Sequence, residues 1–312
     1  MSFFTMSQII TTTDVHKSFE INSILNGVFL EINAGTVYGL VGLNGAGKTT
    51  FLRLLLGLLK PDHGTITVAG YNPWSHSEDY YSRLGVVLEH DGFWGNLTIK
   101  ENLKIFASAK KLQWKDVCLY IDQFWGNTVI AVSDKKVKHL SRGQRMQCAL
   151  CRAFLGWPEV VFLDEPAIAL DMAAYDHFQS IALHARSKGA AMIISSHQLD
   201  TIDDLCDRVG NLTGGKLQDL ELHVGSGFCN WILSTDDNPL WEKILGENGC
   251  RHISWKAGVW SFSIDNPEGK IPLIVRKLVE VDCPILQIRQ DTGGFGEKIR
   301  SIYKTSESKG HS

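Results

Sequence analysis

Residues 36–59, TVYGLVGLNGAGKTTFLRLLLGLL, place a glycine-rich loop between an apolar run and an apolar helical pattern. The run at 37–41 favours a buried strand, and the leucine spacing after the loop favours a helix. Between them lies the spacing G-x-x-x-x-G-K-T, formed by Gly42, Gly47, Lys48 and Thr49. Backbone N–H groups of such a loop surround phosphate oxygens, the lysine reaches the β- and γ-phosphates, and the threonine holds Mg²⁺. The stretch predicts a nucleotide phosphate site at a helix N-terminus, with an ordinary glycine-rich turn as the alternative.

Two further apolar runs end in polar residues that suit the same site. Residues 158–166, PEVVFLDEP, lack alternation, which is typical of a strand buried on both faces. The side chains of successive strand residues point in opposite directions, so Asp164 and Glu165 can have different roles. We expect Asp164 to act at Mg²⁺ and Glu165 to face the attacking water. The alternative is a pair of solvated surface acids. The run AAMIISS at 190–196 leads into His197. Ligands gather at the carboxyl ends of parallel strands, which favours a γ-phosphate contact for His197 over a purely structural role.

The pentad LSRGQ at 140–144 is predicted to open a helix. Ser141 followed by Gln144 forms a capping-box pattern, and helical periodicity continues after it. A helix N-terminus that carries a serine hydroxyl and a close-packing glycine, here Gly143, is also an anion site. Because the chain already has a phosphate loop, the local pattern leaves two interpretations open: a well-capped helix or a contact for another nucleotide.

The order of these motifs resembles the ATP-binding cassette of ABC ATPases, from about residue 7 to residue 220. The stretches that carry the resemblance are GLNGAGKTT, LSRGQ, VVFLDEP, ALD ending at Asp171, and SSH. The resemblance implies a P-loop NTPase core of α/β type with ATP and Mg²⁺ as its ligands. It also implies that the pentad serves the ATP of a second cassette, with two cassettes packed head to tail around two nucleotides.

Individual roles follow from the same resemblance. Phe19 would stack on adenine, although it could equally be a core phenylalanine. The implied phosphate and metal contacts of one cassette are Gly42, Asn44, Gly45, Ala46, Gly47, Lys48, Thr49, Thr50, Glu89 and Asp164. Among these, Mg²⁺ would be held by Thr49, Glu89 and Asp164. The catalytic set would be Lys48, Glu165 as general base and His197. The second cassette would contribute Ser141, Gly143, Gln144 and Asp171.

Three positions depart from the family pattern. Arg142 stands at a glycine position of the pentad, and Ala167 stands where threonine or serine is usual. Glu89 stands where the family has a glutamine that contacts Mg²⁺ and senses the transport domain. Glutamate keeps an oxygen ligand but adds a charge and loses the amide donor. This last variant resembles single-cassette exporter subunits that protect cells from antimicrobial peptides.

The overall composition indicates which classes of partner and which cellular compartment to expect. The 312 residues carry a formal net charge of -3 with a pI near 6.4, so nucleic acid is not an expected partner. Seven cysteines without zinc spacing fit a reducing compartment. The start lacks a secretory pattern, and the apolar stretch at 51–59 is too short to cross a bilayer. Taken with these features, the resemblance to ABC transporter subunits implies a peripheral protein at the cytoplasmic face of the cell membrane.

The sequence predicts three regions. Residues 7–221 form the ATP-binding domain, with a helical subdomain at about 91–157 that begins with a second capping-box pattern, Thr98 and Glu101. Residues 222–292 show the order strand, helix, strand, strand, helix, strand, a split β-α-β pattern that favours a small ferredoxin-like α+β domain. Residues 293–312 are assigned to a C-terminal helix and polar tail. No site chemistry is visible after residue 221, which favours contact or regulation there.

The predicted function is the ATPase subunit of an ABC transporter that powers export through separate membrane subunits. A second cassette, identical or not, and those membrane subunits are the expected partners. One alternative is a soluble ABC ATPase acting on nucleic acid or ribosomes, but such proteins usually carry two cassettes or a long coiled coil. A second alternative is a regulatory subunit that binds nucleotide without hydrolysing it. A chain that lacked Glu165 or His197 would favour this alternative. Both residues are present.

Overall fold

The computed structural model describes residues 8–75, 77–89, 91–197, 205–220, 228–256, 258–265 and 267–290. The chain divides into two compact units, residues 1–220 and 221–312. The predicted C-terminal helix and tail at 293–312 lie outside the described residues. None of the described helices combines the length and apolar character needed to cross a lipid bilayer.

The first unit mixes strands and helices. Its strands are β1 (Gln8–Phe19), β2 (Asn22–Asn33), β3 (Val37–Val41), β4 (His63–Val68), β5 (Leu84–Val87), β6 (Val160–Asp164), β7 (Ala191–Ser196), β8 (Arg208–Thr213) and β9 (Lys216–Leu220). Its α-helices are α1 (Lys48–Leu55), α2 (Glu78–Ser82), α3 (Ile99–Ala109), α4 (Trp114–Val129), α5 (Arg142–Ala153) and α6 (Met172–Ser187). The three strands predicted from apolar runs at 37–41, 158–166 and 190–196 are confirmed as β3, β6 and β7.

A six-stranded sheet brings the predicted motifs together. Its strand order is β5-β6-β7-β3-β8-β9, parallel throughout except for the antiparallel edge strand β9. Every residue of β3, β6 and β7 is buried, as expected for strands covered on both faces. Because these three strands are parallel neighbours, the residues that follow them meet at one edge of the sheet. The phosphate loop, Glu165 and His197 all follow these strands.

A three-stranded antiparallel sheet, in the order β2-β1-β4, shares the core with the six-stranded sheet. Ile10 and Leu25 from the smaller sheet belong to one buried cluster with Leu40 and Phe162 from the larger. Helix α1 contributes Phe51 to the same cluster. The N-terminus of α1 is therefore anchored by the burial of the helix behind it.

The region between β5 and β6 contains α3, α4 and α5. Both predicted capping boxes are confirmed. Thr98 accepts a hydrogen bond from Glu101 N–H and Glu101 accepts from Thr98 N–H at the start of α3. Ser141 and Gln144 form the same reciprocal pair at the start of α5, so LSRGQ does open a helix.

The second unit contains a four-stranded antiparallel sheet and two helices. Its elements are β10 (Phe228–Ser234), α7 (Pro239–Glu247), β11 (Arg251–Lys256), β12 (Val259–Asp265), α8 (Pro267–Glu280) and β13 (Gln287–Gln290). The strand order is β11-β12-β10-β13. Trp241, Trp260, Phe262 and Ile274 lie in its separate buried cluster. Helix α8 contains Pro272 within its length.

Candidate functional site

The phosphate loop connects β3 to α1 in a conformation that needs glycine. Gly47 has φ 102°, and a Cβ there would lie 2.9 Å from Ile24 Cγ2. At Gly42 a Cβ would lie 2.7 Å from the carbonyl oxygen of Leu212. Helix α1 has no side-chain cap and no acidic residue in its first turn. Its N-terminal N–H groups and its positive dipole end are therefore available to an anion.

Lys48 is the first residue of α1, and its ammonium group already lies inside the loop. Its Nζ atom donates to the carbonyl oxygen of Gly42 at 2.7 Å and lies 3.4 Å from that of Leu43. It also lies 3.6 Å from Glu165 Oε1. The residue is buried, with 7% of its surface exposed. A phosphate group entering the loop would meet a fixed positive charge.

Asp164, the last residue of β6, is held by two hydroxyl groups. Thr49 Oγ1 donates to its Oδ2 atom at 2.8 Å, and Ser195 Oγ donates to its Oδ1 atom. The aspartate is 5% exposed. Asp164 and Ser195 are register partners in the β6–β7 pair. The buried carboxylate is thus satisfied at both oxygens and fixed in direction.

Glu165 leaves the strand immediately after Asp164. Its φ of 53° is left-handed, so strand alternation does not separate the two acids as the sequence predicted; a turn at Glu165 does. Its Oε2 atom lies 2.8 Å from His197 Nδ1, and its Oε1 atom faces Lys48. His197 N–H also donates to Oε2 at 3.3 Å. The carboxylate is therefore held between two groups that can carry positive charge.

The residues near Asp164 fit a magnesium ion. Neighbouring ligands of an octahedral Mg²⁺ at about 2.0–2.1 Å lie roughly 2.9–3.0 Å apart. The oxygens of Thr49 and Asp164 are 2.8 Å apart. The described residues contain no group of three or more His, Cys, Asp or Glu side chains that could hold a metal.

A cleft of about 370 Å³ opens in front of these groups. Nine of the predicted site residues line it: Asn44, Gly45, Gly47, Lys48, Thr49, Thr50, Glu89, Asp164 and Glu165. The other predicted site residues are absent from the described lining: Phe19, Gly42, Ala46, Ser141, Gly143, Gln144, Asp171 and His197. Two of these residues nonetheless contact the lining: Gly42 accepts a hydrogen bond from Lys48, and His197 is hydrogen-bonded to Glu165. The structure brings together the predicted phosphate and hydrolysis residues of a single chain.

Phe19 lies at the end of β1 and is 44% exposed. The alternative interpretation, a core phenylalanine, is therefore wrong. The ammonium group of Lys17 lies 5.6 Å from the centre of its ring. An exposed aromatic ring can stack on a flat ring of a ligand.

The pentad contributes Arg142 to the lining of its own cleft, and none of its three predicted contact residues. Ser141 and Gly143 do not line the cleft, whereas Arg142 and Met146 on the same helix do. A Cβ at Gly143 would lie 3.0 Å from the carbonyl oxygen of Ala169. The segment that ends at Asp171 therefore packs against the first turn of α5. Asp171 itself caps α6 by accepting from Ala174 N–H at 2.8 Å.

The segment after Glu89 is bonded to α5. Glu89 is exposed and lies 3.9 Å from the guanidinium of Arg53. Arg152, in the last turn of α5, donates to the carbonyl oxygen of Asp91 at 2.6 Å, and Arg145 lies 3.7 Å from the Asp91 carboxylate. Burial lowers the pKa of Arg152 to about 10, so it stays charged at neutral pH. A displacement near Glu89 can therefore reach the pentad helix.

Sequence reasoning missed two groups of residues. The first is the apolar wall of the cleft, formed by Ile24, Leu88, Met146 and Ile168. Nothing in their local pattern separates them from ordinary core positions, because distant parts of the chain supply them. The second is Ser195, which lies in the stretch SSH that carried the family resemblance. No local sequence signal marks its role, because that role depends on its position opposite Asp164 in the β6–β7 pair.

Comparison with known proteins gives consistent matches. A sequence profile described as ABC transporter matches residues 25–168. The chain is 36% identical over 215 residues to the bacitracin transport ATP-binding protein BcrA of Bacillus licheniformis, covering 68% of this chain and 69% of that protein. It is 31% identical over 264 residues to ABC transporter A family member 12 of Arabidopsis thaliana, covering 81% of this chain and 29% of that protein.

Solved structures match the same type of fold. The structure of an ATP-binding subunit of an ABC transporter superposes with a TM-score of 0.65 at 25% identity, covering 69% of this chain and 90% of that one. A dimeric ATP-binding cassette in a post-hydrolysis state, bound to ADP and Pi, superposes with a TM-score of 0.61 at 19% identity. That match covers 69% of this chain and 99% of the other, and it shows the fold alone.

Proposed function

Because the chain belongs to the ABC transporter family as one of its ATP-binding ATPase subunits, we propose that it powers export through separate membrane subunits. The family, the P-loop cassette fold and the ATPase class predicted from the sequence are confirmed by the relatives and the solved structures. A soluble ATPase acting on nucleic acid or ribosomes is not favoured, because the relatives above are transporter proteins. The direction of transport, the partners and the residue roles are our proposals.

The observation that carries the hydrolytic mechanism is the position of Glu165 between Lys48 and His197. We assign Glu165 as the general base that orients and deprotonates the attacking water. Lys48 would leave the loop carbonyls for the β- and γ-phosphates. His197 would hold the Glu165 carboxylate and contact the γ-phosphate. The phosphates would then replace Glu165 as the main partner of the Lys48 charge.

Magnesium is the proposed cofactor of the nucleotide. Thr49 would hold it through the hydroxyl group, with Asp164 beside it and Glu89 on the open side of the cleft. Bound there, the ion would neutralise charge on the phosphates. The hydroxyl of Thr49, which now donates to Asp164, would turn its lone pairs toward the ion.

Two cassettes are proposed to complete each site. The α5 N-terminus carries Ser141 and Gly143 outside the cleft of its own chain, which leaves them free to meet another nucleotide. Ser141, Gly143 and Gln144 of a second cassette would face the γ-phosphate, and Asp171 would lie at the seam. Phe19 of the first cassette would stack on adenine. The exposure of Phe19 supports that role.

Two observations support export through membrane subunits. Glu89 in place of the usual glutamine and the 36% identity with a bacitracin transport protein both support an exporter of antimicrobial peptides. The chain would then bind the membrane subunits at the cytoplasmic face, with the segment after Glu89 relaying their state to α5. Co-purification of the tagged full chain from membranes tests this proposal. Recovery of an integral membrane subunit supports it, and recovery of ribosomes or nucleic acid instead contradicts it.

The hydrolytic role is tested by Glu165→Gln. The variant should bind ATP with near-normal affinity and lose at least about a hundredfold of turnover, because the amide cannot accept the water proton. Glu159→Gln is the matched control, since Glu159 precedes β6 at the opposite end of the strand and pairs with Arg83 on the surface. Phosphate release gives turnover, and a fluorescent ATP analogue gives affinity. Normal turnover in Glu165→Gln would exclude Glu165 as the base.

A further inference from the structure

Ser195 occupies the junction between the two acidic residues of the site. It lies in β7, is fully buried, and its Oγ atom donates to Asp164 Oδ1. The same Oγ atom accepts from the backbone N–H of Glu165 at 3.1 Å. We propose that Ser195 is a positioning residue for the ATPase site, which sets the direction of the Asp164 carboxylate and the backbone of Glu165 together.

The first half of this role concerns Asp164. Its Oδ2 atom is bonded by Thr49 and its Oδ1 atom by Ser195, so the plane of the carboxylate is fixed from both sides. Without the serine hydroxyl, Oδ1 would lose its donor in a site where Asp164 is 5% exposed. The carboxylate would then rotate to find another donor. Such a rotation would move Oδ2 away from Thr49 and from the proposed magnesium position.

The second half concerns Glu165. This residue adopts φ 53°, a left-handed conformation that is strained for a residue with a side chain. Its N–H donates to the carbonyl oxygen of Ser195 at 3.2 Å as well as to the hydroxyl group. The Glu165 N–H group therefore has two acceptors on Ser195: the carbonyl oxygen, which continues the β6–β7 pairing, and the hydroxyl oxygen, which is added to it. That anchor holds the turn which aims the Glu165 carboxylate at His197 and Lys48.

One hydroxyl group therefore serves both acids because it donates once and accepts once. Its proton is committed to Asp164 and a lone pair to the Glu165 N–H. An alanine removes both hydroxyl bonds and keeps only the backbone bond from Glu165 N–H to the Ser195 carbonyl oxygen, whereas a threonine keeps the hydroxyl. The inference rests on the proposed magnesium site and on the proposed role of Glu165. Its test must therefore separate failure of Ser195 from failure of that site.

The test compares nucleotide affinity of the full chain with and without magnesium. A fluorescent ATP analogue is titrated in excess Mg²⁺ and again in a chelator, and the ratio of the two affinities is the readout. Ser195→Ala should leave the affinity in chelator within about twofold and reduce the magnesium enhancement roughly tenfold, as expected for loss of a group that orients a metal ligand. Turnover should fall by about tenfold or more. Ser195→Thr should recover most of both.

Two further variants complete the design. Thr49→Ala removes a proposed metal ligand and should abolish the magnesium enhancement. Thr12→Val removes a buried hydroxyl group that donates to the Val28 carbonyl oxygen between β1 and β2, outside the cleft lining, and it should change only stability. If Ser195→Ala is unfolded by circular dichroism, Ser195→Cys replaces it, with the same expectation because a thiol donates weakly.

The outcomes are distinct. A reduced enhancement in Ser195→Ala with recovery in Ser195→Thr supports the positioning role. An unchanged enhancement in Ser195→Ala, with loss in Thr49→Ala, overturns the inference and leaves the magnesium site standing. An unchanged enhancement in Thr49→Ala overturns the magnesium site and this inference with it. Loss of affinity in chelator equal to the loss in Mg²⁺ would mean that Ser195 supports the fold and not the metal position.

Discussion

The N-termini of α1 and α5 carry the two motifs that we propose to contact phosphate, and the two helix starts are built in opposite ways. The N-cap of α1 is Gly47, which has φ 102° and provides no side-chain cap. The N-cap of α5 is Ser141, and Ser141 and Gln144 accept hydrogen bonds from each other's backbone N–H groups. An uncapped helix start is costly until an anion arrives, whereas a capped start is stable alone.

This difference assigns different tasks to the two helices. The first can hold phosphates within one chain, because Lys48 and the free N–H groups already face the cleft. The second must remain folded while no nucleotide is near it, which the capping box ensures. Ser141 can still donate its hydroxyl proton to a phosphate, because the cap uses only its lone pair. Binding should therefore depend on α1, and completion of the site on α5.

The largest expected effect comes from removing the charge at α1. Lys48→Ala should weaken ATP binding by the isolated chain roughly tenfold to a hundredfold, since a charge-assisted contact is lost. Titration of a fluorescent ATP analogue measures it. Lys60→Ala removes an exposed lysine after the same helix and should change nothing. Equal ATP affinity in both variants would contradict the proposal that nucleotide binding depends on α1.

A sharper test of α5 is Ser141→Asp. Aspartate caps a helix as well as serine does, so the stability of the chain should stay within about 0.5 kcal/mol. ATP binding by the isolated chain should also be unchanged. Turnover of the assembled protein should fall by about tenfold or more, because the new charge would face the γ-phosphate of the second cassette. Steady-state phosphate release at high protein concentration measures this loss.

The control for that variant is Ser77→Asp, which places the same charge at the N-cap of α2. It should leave turnover intact. If Ser141→Asp behaves like Ser77→Asp in every assay, the pentad is only a well-capped helix. The proposed second cassette would then lose its contact.

The connection between the two helices is tested by Glu89→Gln. Glu89 lines the cleft in front of α1, and the segment after it is bonded to α5 through Asp91 and Arg152. The change should leave ATP affinity within about twofold and alter partner-stimulated turnover by roughly fivefold. Glu78→Gln, at an exposed acid that pairs with Lys111, is the control. Equal losses of affinity and stimulation would make Glu89 an ordinary metal ligand.

The smallest effect is expected from the cap alone. Gln144→Ala should lower the free energy of unfolding by about 0.5–1 kcal/mol, because the Ser141 N–H loses its acceptor. Glu101→Ala breaks the matching box at α3 and should cost a similar amount. Urea unfolding of both variants gives the comparison. A much larger loss for Gln144→Ala would show that this side chain does more than cap α5.

Much of the site could be predicted because its functional residues lie in short sequence motifs. The spacing of Gly42, Gly47 and Lys48 indicates the phosphate loop, and the buried run before Asp164 indicates the strand that carries the acids. Both capping boxes follow from residues three positions apart. Glu165 was the exception among the local predictions. Its left-handed turn cannot be inferred from strand alternation, because the turn depends on bonds to Ser195 on a neighbouring strand.

The sequence by itself determined which motifs exist, where β3, β6 and β7 lie, and that the chain is an ABC-type ATPase. Each of these depends on local spacing or on the apolar pattern along one segment. Only the tertiary structure decided that Phe19 is exposed, that Ser195 joins the two acids, and that Arg142 and Met146 reach the cleft. These facts depend on which strands become neighbours and how helices pack. Long-range packing brings together residues whose separation along the chain exceeds any local pattern.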